Sequence, residues 1–456
     1  MAPKFGTSGL RGLVVELTPE LVADYTRAFI AACPTGGAVM VGQDYRPSSP
    51  AIAAMVLRTV REAGLRAIDL GALPTPALAL ACIGAGCGAV MVTGSHIPAD
   101  RNGLKFYVPT GEITKDDEAK ILAALGTAPG TGAGPAEADP QAGARYVARY
   151  ATAYGPVALN GLRIGVYEHS SVAREILKQV LAALGAEVVP LARSETFIPV
   201  DTEAVDPVTR TLFAQWCRDN ALDALVSTDG DADRPMVTDA SGEVIPGDIL
   251  GALTARSLGA EVICTPVSSN SMINEMGFGR IVKTRIGSPF VIAAMEEETG
   301  AVVGYEANGG FLLGFAAQGP AGPLAPLMTR DCVLPIVAPL AAAKAAGLSL
   351  ADLVAALPPR FTAADRLTEI PTQNAQALIA ELKDDPVRRD QFFTPRRVEL
   401  VDLTDGLRAT LADGAVVHLR ASGNAPEFRC YVEADSKAAA AALLATYLDR
   451  LAARLR

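Results

Sequence analysis

Three short apolar runs, at residues 88–92, 222–226 and 300–303, each follow a helical stretch closed by a Gly or Asn, and each empties into a polar loop. Short apolar runs bounded in this way predict buried parallel strands. Helical segments predicted at 50–63, 171–184 and 288–298 fit between such strands, and each ends at or near a Gly able to cap it. The alternation predicts repeated α/β units, in which ligands bind beyond the carboxyl ends of the strands. Residues 126–143 are rich in Gly, Ala and Pro and predict a surface loop; a helix at about 144–154 and a strand at 162–166 then open a second unit. A third unit begins near Gly247 and exits at Leu357-Pro358-Pro359. Beyond it come consecutive strands at 397–403, 407–411, 416–419 and 428–432 and one Ala-rich helix at 436–455, the pattern of a small antiparallel α+β domain. The fold class is therefore α/β: three similar mixed α/β domains at 1–154, 155–246 and 247–360, plus a C-terminal α+β domain at 361–456.

Composition supports this division, since 456 residues with half of them hydrophobic can build three or four separate cores. A net charge of −10 argues against nucleic acid or an anionic membrane as partner. A small anionic substrate would need locally focused arginines. The seven cysteines form no Cys-x-x-Cys pair and no His stands at zinc spacing, so they read as buried thiols of a reducing compartment. The opening Met1-Ala2-Pro3-Lys4-Phe5-Gly6-Thr7 has no apolar core of signal-peptide length, and the uncharged stretches 70–99 and 308–329 are broken by Pro and Gly. The expectation is a cytoplasmic protein without a membrane span.

Chemistry is concentrated in the loops. Asp229, Asp231 and Asp233 alternate with Gly230 and Ala232, and Arg234 follows. Three carboxylates able to point at one centre call for a cation, and hard oxygen donors favour magnesium, manganese or calcium over zinc. An EF-hand would need Gly where Arg234 stands, Glu where Ala240 stands and an entering helix. A solvated acidic loop remains the plain alternative. Arg234 is natural as a partner of phosphate. In Thr93-Gly94-Ser95-His96-Ile97-Pro98 the serine is either an exposed, phosphorylatable nucleophile or an N-cap; no Gly-x-Ser-x-Gly elbow is present. His96 adjoins it, and Lys105 follows a turn at Asn102-Gly103. Lys105 is either a salt-bridged surface residue or, with a lowered pKa, a general base. Glu306 and Asn308, among glycines, suit sugar hydroxyls. Arg420-Ala421-Ser422-Gly423-Asn424 offers donors for a phosphate dianion, or else a Ser-capped turn.

The order of these loops, with Phe5-Gly6-Thr7-Ser8-Gly9-Leu10-Arg11-Gly12 and Gly42-Gln43-Asp44-Tyr45-Arg46-Pro47-Ser48-Ser49-Pro50, resembles the alpha-D-phosphohexomutase superfamily over essentially the whole chain. The resemblance implies four domains around a central cleft, one loop from each. It implies a phosphoryl group on Ser95 and Mg2+ held by Ser95, Asp229, Asp231 and Asp233. Lys105 would do acid/base work beside His96, and Arg11 would neutralise charge. Arg234, Lys283, Arg285, Glu306, Asn308, Arg420, Ser422, Gly423, Asn424 and Arg429 would bind substrate. The activity implied is phosphoryl transfer between O1 and O6 of a hexose phosphate, mannose above glucose, with a hexose 1,6-bisphosphate as activator, in a monomer or weak homodimer. The family's serine loop usually ends His-Asn-Pro, where Ile97 replaces Asn; its sugar loop often reads Gly-Glu-x-Ser-Gly-His, where Gly304-Tyr305-Glu306-Ala307-Asn308-Gly309-Gly310 stands; and Ser288 replaces a frequent His or Asp. These departures touch the choice of sugar. They fit the bacterial phosphomannomutase/phosphoglucomutase branch better than phosphoglucosamine mutases. A phosphatase and a silent sugar-phosphate sensor are the competing readings.

Overall fold

The structure is a computed structural model describing residues 3–6, 9–421 and 427–455. The described chain divides into two compact units, residues 1–261 with 287–354, and residues 262–286 with 355–456.

In the larger unit the first sheet runs, in spatial order, Lys4–Phe5, Leu10–Leu13, Arg101–Val108, Gly88–Val92, Ala38–Gln43, Arg66–Ala72, Ala136–Ala138. Ala38–Gln43 pairs parallel with both Gly88–Val92 and Arg66–Ala72, whereas Gly88–Val92 pairs antiparallel with Arg101–Val108. Gly88–Val92 is buried at every position, as its unbroken apolar run requires. The second sheet follows the same plan: Ala224–Thr228 lies parallel to Arg163–His169 and antiparallel to Pro235–Thr238. Val302–Tyr305, the third run, pairs antiparallel with Phe311–Leu313, which pairs in turn with Leu327–Asp331.

The three expected helices occur as Ser49–Glu62, Arg174–Ala183 and Ser288–Glu296. Gly64 and Gly185, just past the first two, hold φ of +80° and +92°, the left-handed turn that a helix end uses. Segment 126–143 differs from its expected loop. Three of its residues, Ala136–Ala138, add an edge strand to the first sheet and are wholly exposed, and a helix starts at Ala142. With no buried side chain, that strand leaves no hydrophobic periodicity to read.

In the smaller unit Val262–Pro266 lies parallel to Arg280–Thr284. A five-stranded antiparallel sheet has the order Phe361–Thr368, Glu427–Ala434, Val416–Ala421, Leu407–Leu411, Val398–Asp402. Leu407–Leu411 alternates buried and half-buried positions, and its inward Leu407, Ala409 and Leu411 join Phe428, Leu419 and Tyr447 in one core. Each fully buried leucine there contributes roughly 1.5–3 kcal/mol. The expectation of consecutive strands and a single helix is corrected here. Phe361–Thr368 precedes them, and the helices Thr372–Asp384 and Pro386–Phe393 intervene before Val398. Phe361–Thr368 is an edge strand with no buried residue and reads as polar, which hid it.

His418 is 1% exposed on the face of the sheet opposite this core; its Nε2 lies 2.6 Å from the Asp405 carbonyl and its ring stacks on Tyr431. Burial lowers its pKa from 6.5 to about 4. The folded state therefore holds a neutral ring that the unfolded chain protonates below pH 6.5, so stability present above 6.5 is lost as pH falls towards 4. At about 1.4 kcal/mol per pH unit the loss reaches up to about 3 kcal/mol. Urea unfolding followed between pH 7 and 4 should show this decline, and His418→Gln, which retains an amide donor for the carbonyl, should flatten it. An unchanged pH slope in that variant would assign the decline elsewhere.

Candidate active site

Ser95 and the three aspartates meet because two parallel strands end in loops of similar form. Ser95, 1% exposed, stands three residues beyond Gly88–Val92 with φ +55°. No helix follows it, so it is not an N-cap. Its Oγ donates to Asp229 Oδ2 at 2.8 Å and lies 3.3 Å from His96 Nδ1. Asp229 follows Ala224–Thr228, and Ala232 takes φ +58°, curling the loop so that all three carboxylates face one another. Their potential ligand atoms lie within 4.8 Å of one another, and all three residues are buried.

Cations surround this cluster. Lys105 Nζ donates to Asp231 Oδ2 and Asp233 Oδ2, both at 2.6 Å, and is only 5% exposed. Lys105 is thus salt-bridged, but in the interior. Thr75 Oγ1 donates to Asp231 Oδ2 at 2.9 Å. Arg234 Nε lies 3.9 Å from Asp229 Oδ2 and 3.8 Å from Asp233 Oδ1. Arg330, which the sequence pattern does not mark, places Nη2 2.7 Å from Asp233 Oδ2 and Nη1 3.6 Å from Glu306 Oε2. Its stem packs where a side chain on Gly310 would stand, at 2.9 Å from a Cβ there, and the signal available in the sequence was that absence.

The electrostatics follow from burial. Asp229 is pushed well above the usual carboxylate range by burial and by the charges of Asp231 and Asp233. Burial pushes Asp231 and Asp233 the same way, but Lys105 and Arg330 outweigh it and hold both below the ordinary value. Burial, then Arg234, lowers Arg11 to about 10, and burial with Arg234 and Arg11 lowers His96 to about 2, so His96 is neutral near pH 7. Cationic groups crowded this closely fit a centre that receives a phosphate dianion.

The donor set also fits a divalent ion. Asp231 Oδ1 and Asp233 Oδ1 are buried and accept no hydrogen bond among the described residues. Two such oxygens, with Asp229 and the Ser95 oxygen beside them, form a hard, all-oxygen site of the kind that holds magnesium.

Glu306 and Asn308 close a tight turn beyond Val302–Tyr305. Gly309 N donates to Glu306 O at 2.9 Å, and Gly310 N donates to Asn308 Oδ1 at 3.0 Å. Glu306 is 4% exposed, with its carboxylate turned towards Arg330.

Lys283, Arg285, Arg420 and Arg429 lie in the smaller unit. Lys283 is in Arg280–Thr284, and Arg285 after it is exposed. Asp405 Oδ2 accepts from both Ile286 N and Arg420 Nε, tying that segment to Arg420. Arg420 sits directly opposite Arg429, which sits opposite Arg366 on the next strand. Like charges facing across strands need compensation, and carboxylates supply it here: Asp405 lies 3.1 Å from Arg420, and Glu427 lies 3.4 Å from Arg429 and 3.5 Å from Arg366. Arg366 was not anticipated, because strand register is invisible in the sequence. Ser422, Gly423 and Asn424 lie outside the described residues.

Models for domains I, II and III of phosphoglucomutase/phosphomannomutase match residues 2–129, 144–242 and 246–361, and the C-terminal domain model matches 366–449. The chain is 46% identical to a phosphomannomutase of Sinorhizobium fredii, covering 98% of each chain, and 42% identical to one of Salmonella muenchen, covering 99% of this chain and 96% of the relative. A phosphoglucosamine mutase of Acidothermus cellulolyticus is 30% identical, over 95% of this chain and 92% of the relative. A solved phosphoglucomutase/phosphomannomutase family protein of Burkholderia thailandensis shares the fold, with a TM-score of 0.79 at 23% identity over 98% of this chain and 97% of the other. With domain models matching in order along nearly its whole length, the chain belongs to the phosphoglucomutase/phosphomannomutase family of phosphohexomutase isomerases.

Proposed function

We propose that this protein interconverts mannose 1-phosphate and mannose 6-phosphate through a phosphoserine at Ser95 and a mannose 1,6-bisphosphate intermediate. The observation that carries this reading is the 2.8 Å contact between Ser95 Oγ and Asp229 Oδ2, inside a buried cluster of three carboxylates ringed by Lys105, Arg234 and Arg330. In the first step the P–Oγ bond of phosphoserine breaks as the free hydroxyl of the sugar bonds to phosphorus; that hydroxyl loses its proton, and Oγ takes one up. The bisphosphate reorients, and its other phosphate returns to Ser95 by the same exchange.

Such transfer depends on positioning and charge neutralisation. Ser95, Asp229, Asp231 and Asp233 would hold magnesium, which when bound polarises the phosphoryl oxygen. Arg11 and Arg234 neutralise the charge that builds on the transferring group. Lys105 carries the proton between hydroxyl and Oγ once its ammonium leaves Asp231 and Asp233, and His96 borders the same oxygen. Glu306 and Asn308 take sugar hydroxyls. Lys283, Arg285, Arg420 and Arg429 of the smaller unit, with Ser422, Gly423 and Asn424, are assigned to the substrate. A silent sensor would be expected to lack one of these reactive groups, and each is present.

Mannose is favoured because two relatives at 46% and 42% identity are phosphomannomutases, whereas six phosphoglucosamine mutases match at 27% to 32%. Seven buried cysteines, none of them in a disulfide, support a reducing, cytoplasmic setting. Among the described residues no helix is long and apolar enough to cross a membrane. Turnover of mannose, glucose and glucosamine 1-phosphates at equal concentration, with a bisphosphate activator, should fall in that order, with glucosamine 1-phosphate slower by about tenfold or more. Glucosamine 1-phosphate in first place would overturn the choice of sugar, and phosphate release without isomerisation would make the protein a phosphatase.

A further inference from the structure

Arg46 is 1% exposed, and no step above uses it. All five of its N–H donors are engaged. Nε donates to Asp44 Oδ2 at 3.1 Å, Nη1 to the carbonyls of Pro98 at 2.6 Å and Arg101 at 3.0 Å, and Nη2 to those of Ser95 at 2.8 Å and Ile97 at 2.5 Å. One guanidinium thus gathers four backbone carbonyls of the loop that carries Ser95. Asp44 completes the clamp: it accepts from Thr93 Oγ1 at 2.7 Å, and Thr93 Oγ1 accepts from Ser95 N at 2.7 Å. Both sides of Ser95's backbone are therefore anchored to the Asp44–Arg46 pair. A loop without regular structure, holding a serine at positive φ, needs such restraint to persist.

One face of the guanidinium lies over Phe197, whose ring packs in turn against the aspartate loop. The guanidinium carbon lies 4.2 Å from the centroid of the Phe197 ring. A Cβ on Gly230, between Asp229 and Asp231, would come within 3.1 Å of both Phe197 Cε2 and Ser95 O. Gly94 has the same relation to Arg46, with Cζ 2.6 Å from a Cβ built there. Guanidinium, ring and two bare glycine backbones form one buried stack beside the point where Ser95 meets Asp229.

We propose that Arg46 and Phe197 are positioning residues that set Ser95 Oγ against the carboxylate cluster for phosphoryl transfer, an inference that rests on Ser95 being the phosphoryl carrier. Lysine has three donors and no planar fork, so it cannot reproduce four converging carbonyl contacts together with the Asp44 pair. A displacement of about 1 Å at a reacting atom lowers rate about 10²-fold.

The test uses the full-length, magnesium-loaded enzyme, with glucose 1,6-bisphosphate as phosphoryl donor. In Arg46→Lys, kcat and the single-turnover rate of Ser95 phosphorylation, read by quench and peptide mass spectrometry, should both fall about 100-fold while KM stays within about threefold. If that variant does not fold, Phe197→Leu, which keeps the Asp44–Arg46 pair, should show the same split with a fall of about tenfold. A purely structural role would lower the unfolding midpoint and leave the rate per folded molecule unchanged; that result, or a rise in KM alone, overturns the proposal. If wild-type protein takes no phosphate on Ser95, the assignment of Ser95 fails and this inference falls with it. Normal phosphorylation in wild type and in the folded variant alike defeats only the positioning role.

Discussion

Ser95→Ala should lower isomerisation by roughly 10⁴-fold or more, because removing the group proposed to accept and return the phosphoryl leaves no covalent route between the two sugar oxygens. The structural cost is small. The change deletes one buried hydroxyl and its bond to Asp229, worth about 1 kcal/mol, and leaves the backbone clamp intact. Loss of turnover should therefore come with a nearly unchanged unfolding midpoint, and with sugar-phosphate binding retained. Measured with bisphosphate activator present, this separates chemistry from priming. A variant keeping even a tenth of wild-type turnover would remove the phosphoserine mechanism.

Lys105→Met should produce the largest change in stability, and its size should depend on magnesium. Lys105 is the hydrogen-bonded cation shared by Asp231 and Asp233, and all three groups are buried. Breaking a buried pair from one side costs about 3–5 kcal/mol, since a buried charge loses its partner; Arg330 still pairs with Asp233, which places the value at the low end of that range. Without divalent ions the variant should unfold that much more easily. With saturating magnesium most of the deficit should disappear, because the ion neutralises the same two carboxylates. Chemical unfolding with chelator and with magnesium reads both values. Equal deficits under the two conditions would mean that lysine and metal do not share those acids. Turnover of the magnesium-loaded variant should also drop by about 10²–10⁴-fold, the range for a lost proton carrier.

The two ion pairs that Lys105 makes with Asp231 and Asp233 are a property that neither sequence segment contains by itself. Alternate carboxylates after an apolar strand announce a cation site through local chemistry alone, and that reading agrees with the buried Asp229, Asp231 and Asp233 cluster. Lys105 stands 126 and 128 positions from its partners, and which lysine reaches them depends on how two sheets pack. Arg330 illustrates the same limit, since its contacts with Asp233 and Glu306 depend on the space left by Gly310.

The amino-acid sequence by itself determined the three strand-to-loop units, the helix ends marked by glycine, the serine and aspartate loops, and the family, because periodicity, capping and motif order are local properties of the chain. Only the tertiary structure decided the polar edge strands 136–138 and 361–368, which bury nothing and so carry no hydrophobic signal. It alone lined up Arg366, Arg429 and Arg420, because strand register is set by packing. It also drew Arg46 under Ser95, since a buried guanidinium goes where unpaired carbonyls converge, and that convergence exists only once the chain is folded.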